Sequence, residues 1–439
     1  MPNSVGFNQE LPTIIESEKL YKRSQGLIPC NTQTMAKGPT QYVDGVAPKY
    51  LVKGKGARVW DVDGNEYIDY NMGIGPISLG YAYPEVDKAI TEQLSKGITF
   101  SLVNPLEIEV AELIKEFIPN AESVRYSKTG AEVTSAAVRI ARAFTRRNRI
   151  LACGYHGWHD WYASTLPRNG GIPDEIIRLT DKFNYNDLES LEQLINYDVA
   201  AVIIEPTIFD KPENDFLHGV QELCLKYGSL LIFDEMWTGF RMSNGGAQEY
   251  YGVTADLATF SKAIANGMPI SVVTGRHDVM QVLEEDVFFF NTFGGEALSL
   301  AAAKATLEVY KNKPVIEHIW NLGALLEEGL NNIKNQLNLN YLIIKGYPYR
   351  LMLDFAAPGY NPLVLKSFVQ QELIRRGILW SGTFTLSFSH SEEEINYTLK
   401  AFLDTVLQMD EIMTHGDLRG YIKGDIIKPS FRPISNFRN

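Results

Sequence analysis

The sequence predicts an α/β protein: a large, doubly wound, mostly parallel sheet domain joined to a smaller α+β domain. Three observations predict it. Between about residues 110 and 300, apolar strands alternate with helix-like segments: VAAVIIEP (199–206), the helical NDFLHGVQELCLKYG (214–228), LLIFDE (230–235), DLATFSK (256–262) and SVVTG (271–275). Uninterrupted apolar strands joined through helices need a sheet covered on both faces. After about residue 308 the texture changes to an amphipathic helix around VIEHIWNLGALLEEGLNNIKNQL, strands such as RLMLDF, and a last helix near 391–414. Near the start, RVWDVDGNEYID (58–69) alternates apolar and polar residues on both sides of Asp63-Gly64, a hairpin signature. The expected division is a large domain over 75–307 and a small one formed by 1–74 with 308–439, the glycine- and proline-punctuated tail lying over a surface.

Composition narrows the function. A chain of 439 residues, 45% hydrophobic and 21% charged, has the balance of a soluble globular protein with room for two domains. A formal net charge of −12 argues against nucleic acid and anionic membranes as partners, since both reward excess Lys and Arg. Cys30, Cys153 and Cys224 are an odd number, far apart and without CxxC spacing, so neither a disulfide framework nor a zinc site is indicated and a reducing cytoplasm fits. MPNSVGFNQELPTIIESEKL shows no basic segment followed by an apolar one, and no run approaches the ~20 apolar residues of a membrane span. DVDGNE resembles a calcium loop in outline, but its glycine stands too early. MGIGPISLG (72–80) lacks dinucleotide spacing.

Chemistry is expected where strands end, because ligands of doubly wound sheets collect outside the carboxyl ends of the strands. Asp234 closes the apolar run LLIFD, and an ionised carboxylate there either has a cationic partner or marks the point where the strand ends. Lys262 follows the strand DLATFS and precedes the small-residue turn AIANGMP. A lysine able to form an imine, beside an acid able to meet a cationic ring nitrogen, is the pairing that pyridoxal 5'-phosphate requires. In YSKTGAEVTSAAVRIARAFTRR (126–147), Thr129-Gly130-Ala131 precede a helix with apolar positions Val133, Ala137, Ile140, Ala141 and Phe144. Such a turn offers backbone N–H groups to a phosphate, although Thr and Gly there also serve as plain caps. Tyr155, after the strand RILAC, suits ring stacking or the core, while the spacing of His156 and His159 fits a metal only if a third ligand exists.

Together these segments resemble the class III aminotransferase family, most closely its glutamate-1-semialdehyde aminomutase branch, over about residues 38–410. GPISLGYAYP, TGAEVTSAAVRIARAFT, YHGWHD, IIEP, LIFDEMWTGFR, DLATFSKAIANGMPIS and TFGGEALSLAAA occur in that family's order and at about its spacing. The resemblance implies the aspartate-aminotransferase-like (type I) fold, with pyridoxal 5'-phosphate on Lys262 and Asp234 at its pyridine nitrogen. It also implies Tyr155 and Met236 against the two ring faces and phosphate contacts from Thr129, Gly130 and Ala131. Thr292 is implied to reach the neighbouring subunit's phosphate in a homodimer with active sites at the interface. Glu235 is read as structural, paired with Arg241.

Departures from the family bear on the substrate. The phosphate turn reads Thr-Gly-Ala where the family has Ser-Gly-Thr, and Asp210 stands where the aminomutases carry asparagine. Lys37 falls where they hold a carboxylate with arginine, with Thr34 near a family serine; lysine is a point charge without the bidentate fork. In GILWSGTFTLSFSHSEEE (377–394), read as one strand, Ser381, Thr383 and Thr385 would share a face, lining a pocket or merely facing solvent. The expected activity is ping-pong transfer of an amino group from a small-molecule donor to a keto or aldehyde acceptor, a keto-sugar or similar polar carbonyl. The alternatives are an intramolecular glutamate-1-semialdehyde-type 2,1-aminomutase and a catalytically silent binding protein of the same fold.

Overall fold

The computed structural model describes residues 10–428. Residues 1–9 of the N-terminal stretch and 429–439 of the tail expected to lie over a surface fall outside them. The described residues divide into two compact units, one running from Pro84 to Ile316 and the other comprising residues 10–83 together with 317–428.

The 84–316 unit is built on a seven-stranded sheet with the spatial order 123–127, 271–275, 257–260, 230–234, 199–204, 149–153, 180–182. Val199–Ile204 and Leu230–Asp234 lie at its centre and are buried at every position, as their unbroken apolar sequences require. The strand Ser271–Gly275 is antiparallel to both its neighbours, Ser123–Ser127 and Leu257–Phe260, whereas the pairs formed by the other strands are parallel. Only ten residues separate Leu257–Phe260 from Ser271–Gly275, too few for a helical crossover. SVVTG, expected in the parallel series, therefore folds back.

The helix Gly130–Thr145 covers this sheet, burying Val133, Ala137, Ile140 and Ala141 in the main apolar cluster. Phe144, expected on the same stripe, is 37% exposed at the last turn. Phe216–Tyr227 realises the helix expected over 214–228 and ends on Gly228, whose φ of 63° suits a left-handed cap. Ala297–Asn312 begins on Glu296, whose carboxylate accepts from the N–H groups of Leu298 and Ser299.

The other unit holds the hairpin, with Arg58–Asp61 antiparallel to Glu66–Asp69. Asp63 in its turn accepts from the N–H groups of Glu16 (2.7 Å) and Ser17 (2.9 Å), capping the helix Ile15–Ser24. A second sheet joins Leu342–Tyr347, Arg350–Phe355 and Thr383–Thr385. The stretch read as one strand over 377–394 is broken: Ile378–Leu379 pairs with the hairpin, and Thr383–Thr385 belongs to the other sheet. The break falls at Gly382, with a φ of 119° that side chains disfavour. Toward the C-terminus the N–H groups of Lys423, Ile427 and Lys428 donate to Gln371, Ser367 and Thr40, fastening this segment within the unit.

Candidate active site

Asp234 and Lys262 lie at the carboxyl edge of adjacent parallel strands. Asp234 pairs with Thr259, and Lys262 stands just past Phe260, the end of that neighbouring strand. Asp234 is 2% exposed. Its carboxylate accepts from the N–H of Met236 at 3.1 Å and lies 2.8 Å from Nδ1 of the equally buried His156. The Lys262 backbone sits at φ 34°, in the left-handed region that a lysine rarely adopts, and opens the buried turn Ala263–Ala265. Its ammonium nitrogen lies 4.2 Å from the centre of the Trp237 ring.

The phosphate-turn candidates and Tyr155 follow other strands of the same sheet, and Thr292 lies in a loop of the same unit. Ser123–Ser127 runs into Thr129-Gly130-Ala131 at the start of a 16-residue helix. There Glu132 accepts from the N–H groups of Lys128 and Thr129 and from the Ser127 hydroxyl. Burial opposes ionisation of Glu132, yet those donors hold its carboxyl below the usual range. Space around the turn admits little change: a Cβ on Gly130 would come 3.0 Å from Met236 Sδ, and one on Gly157 would come 2.6 Å from Ala131 Cβ. Tyr155 follows Arg149–Cys153, is 36% exposed, and meets Tyr162 edge-on. Thr292 lies in an exposed loop tied to the Ser127–Thr129 turn by a Lys128–Glu296 ion pair at 2.7 Å and by Asn291 on Ser127.

The adjacent acid is held differently. Glu235 accepts from the Thr238 hydroxyl and from the N–H groups of Ala247 (2.8 Å) and Gln248 (3.1 Å). Burial pushes its carboxyl up to about 7 against those bonds. Arg241, expected as its partner, places its guanidinium 5.9 Å from the centre of the Trp237 ring.

The substrate candidates lie in the other unit. Thr34 and Lys37 are exposed in a short turn closed by the Lys37 N–H on the Thr34 carbonyl. Thr383 is half-buried, whereas Thr385 is 1% exposed. Ser381 precedes the strand and donates to Asn71. The wall of three hydroxyls on one strand is therefore not formed: Gly382 interrupts the alternation on which it depended. Asp210 is exposed.

Two supporting residues were missed. His156, whose spacing to His159 suggests a metal ligand, instead braces Asp234; among the described residues no group of three or more His, Cys, Asp or Glu could hold a metal. Glu205 ends the apolar strand Val199–Ile204 much as Asp234 ends its own, a signal the sequence carried. Its carboxylate accepts from the Tyr155 N–H at 2.7 Å.

An amine, a buried carboxylate, a helix N-terminus and an aromatic ring along one sheet edge fit pyridoxal phosphate by chemistry. Solved structures agree with that class. The chain superposes on the pyridoxal-phosphate internal aldimine form of the Sphingopyxis sp. MTA144 FumI protein with a TM-score of 0.86, at 25% identity over 92% of this chain and 99% of that one. An omega-transaminase from Sphaerobacter thermophilus gives 0.81, at 25% identity over 90% and 98%. Residues 42–345 match the class-III aminotransferases, and the chain belongs to that family. It is similar to a 3-aminobutyryl-CoA aminotransferase of Cloacimonas acidaminovorans, 33% identical over 91% of this chain and 99% of that protein. It is also similar to a glutamate-1-semialdehyde 2,1-aminomutase of Acetivibrio thermocellus, 38% identical over 73% and 80%. The enzyme class and cofactor are thereby those of a pyridoxal-phosphate-dependent aminotransferase.

Proposed function

We propose that this aminotransferase works in two half-reactions, taking an amino group from a donor and then passing it to a polar carbonyl acceptor such as a keto-sugar. The placement of Lys262 and Asp234 at the ends of paired strands carries the reading. Lys262 would hold the cofactor and, once released, carry a proton to and from the substrate carbon. Pyridoxal phosphate, when bound, supplies an electron sink for the charge left on that carbon. Asp234, steadied by His156, would keep the cofactor's ring nitrogen protonated. Thr129, Gly130 and Ala131 would hold the phosphate, with Tyr155 and Met236 against the ring.

The protein acts in this reading as a homodimer, Thr292 reaching the neighbour's phosphate. Exposed apolar side chains on the 84–316 unit support it: Phe100, Leu102 and Val103 in one segment, Phe288, Phe290 and Phe293 in the loop that carries Thr292. A fully active monomer would contradict the shared site. The three free thiols suit the reducing cytoplasm in which we place the enzyme.

Lys37, Thr34 and Thr383 remain the acceptor candidates as exposed or half-buried hydrogen-bonding groups, whereas Thr385 has little surface to offer. Single-turnover spectroscopy tests this: the aminated cofactor form is loaded, candidate acceptors are added, and return of the cofactor's original absorbance marks transfer. A second reading, an intramolecular aminomutase, draws support from the 38% identity to the Acetivibrio protein. Conversion of glutamate-1-semialdehyde to 5-aminolevulinate without an external donor would establish it in place of the first.

A further inference from the structure

Trp237 takes no part in the reading above, yet its surroundings single it out. The turn that carries it is fixed by backbone bonds, Glu235 N–H on the Thr259 carbonyl (2.9 Å) and Gly239 N–H on the Glu235 carbonyl (2.9 Å). The Lys262 backbone is fixed too, between Ser261, whose hydroxyl donates to the Ile270 carbonyl at 2.8 Å, and the buried Ala263–Ala265. Two rigid backbones thus face each other across one flexible side chain. Its ammonium nitrogen lies 4.2 Å from the indole centre, well inside cation–π range. Trp237 is half-buried, and the fully buried Arg241 lies against the same ring at 5.9 Å. Partial removal from water strengthens such an attraction, and indole is the best ring for it.

We propose that Trp237 is a positioning residue for Lys262, its indole face holding the ammonium group whenever the lysine is not bonded to the cofactor. The inference rests on Lys262 being the cofactor lysine. A lysine side chain is long, flexible and strongly hydrated, so one that has let go of its partner tends to disperse into solvent. The indole keeps it beside the sheet edge, ready to act on the substrate carbon and to recapture the cofactor. An aliphatic residue at 237 offers similar greasy cover without the attraction, and phenylalanine offers a weaker ring.

The test uses the cofactor-free full chain, acetylated briefly with an activated acetate ester at mildly alkaline pH, with each lysine's rate read by peptide mapping. Trp237→Leu is expected to speed acetylation of Lys262 by about 2- to 30-fold, as loss of one cation–π contact allows, with the other lysines unchanged. Trp237→Phe is expected to give a smaller rise and remains informative should the leucine variant fail to fold. Lys262 rates unchanged in a folded variant would overturn the proposal, as would equal rises in both, which would mean the indole only shields by bulk. Borohydride fixation of pyridoxal phosphate on another lysine would instead remove the functional reading, and the acetylation result would stand apart from it.

Discussion

Two kinds of surface in this molecule invite comparison: the carboxyl edge of the seven-stranded sheet and the polar positions of the other unit. At the sheet edge, Asp234 is enclosed and hydrogen-bonded, Lys262 is held at a strained φ of 34°, and the phosphate-turn candidates fit so closely that a Cβ on Gly130 would press on Met236. In the other unit, Thr34 and Lys37 are exposed, and Thr383 lies beside a glycine break. The difference teaches where chemistry leaves a mark on sequence. A charge inside an apolar strand is costly and demands a reason, whereas a surface threonine or lysine demands none.

Lys262→Ala offers the sharpest break between the two regions. It removes the group assigned to hold the cofactor and move the proton, so turnover is expected to fall about 10³-fold or more while thermal unfolding stays near that of the parent. Asp234→Asn comes next. It keeps the shape but loses the charge, and kcat is expected to fall about 100-fold, near 3 kcal/mol, with cofactor still attached to Lys262. A normal rate in steady-state assays would make this carboxylate structural.

Glu235 sharpens the comparison from within the edge itself. Its folded-state pKa of about 7 lies above the ordinary 4.5, so between those values the folded chain holds a proton that the unfolded chain has released. The contribution is fully present below pH 4.5 and is lost as pH rises through about 7. Urea unfolding across that range is expected to show a flatter pH dependence in Glu235→Gln than in the parent. The smallest effect belongs to the other unit: Lys37→Met is expected to raise the acceptor KM up to about tenfold, about 1.4 kcal/mol, with kcat unchanged.

The same contrast explains what the sequence made legible. The central strands, the helix Phe216–Tyr227 and the place of Asp234 could be read because apolar runs closed by an acid, and a helical period ending on glycine, have few structural solutions. The reversal of Ser271–Gly275 was hidden behind a composition shared by parallel and antiparallel strands, although the short connection pointed to it. Gly382 breaks the strand at a φ of 119°, and alternation that continues on both sides of it hides the break in the sequence. Phe144 continues the apolar spacing of its helix yet is 37% exposed, so periodicity alone did not mark where the buried stripe ends. His156 and Glu205 act through Asp234 and Tyr155, so their roles emerge only once strands distant in sequence stand side by side.

Borohydride trapping tests the central claim most directly. The protein is loaded with pyridoxal phosphate, reduced, digested and mapped by mass spectrometry. A pyridoxyl group on Lys262 alone is the expected result; label on any other lysine, or none after cofactor addition, would contradict the assignment of the sheet edge as the active site.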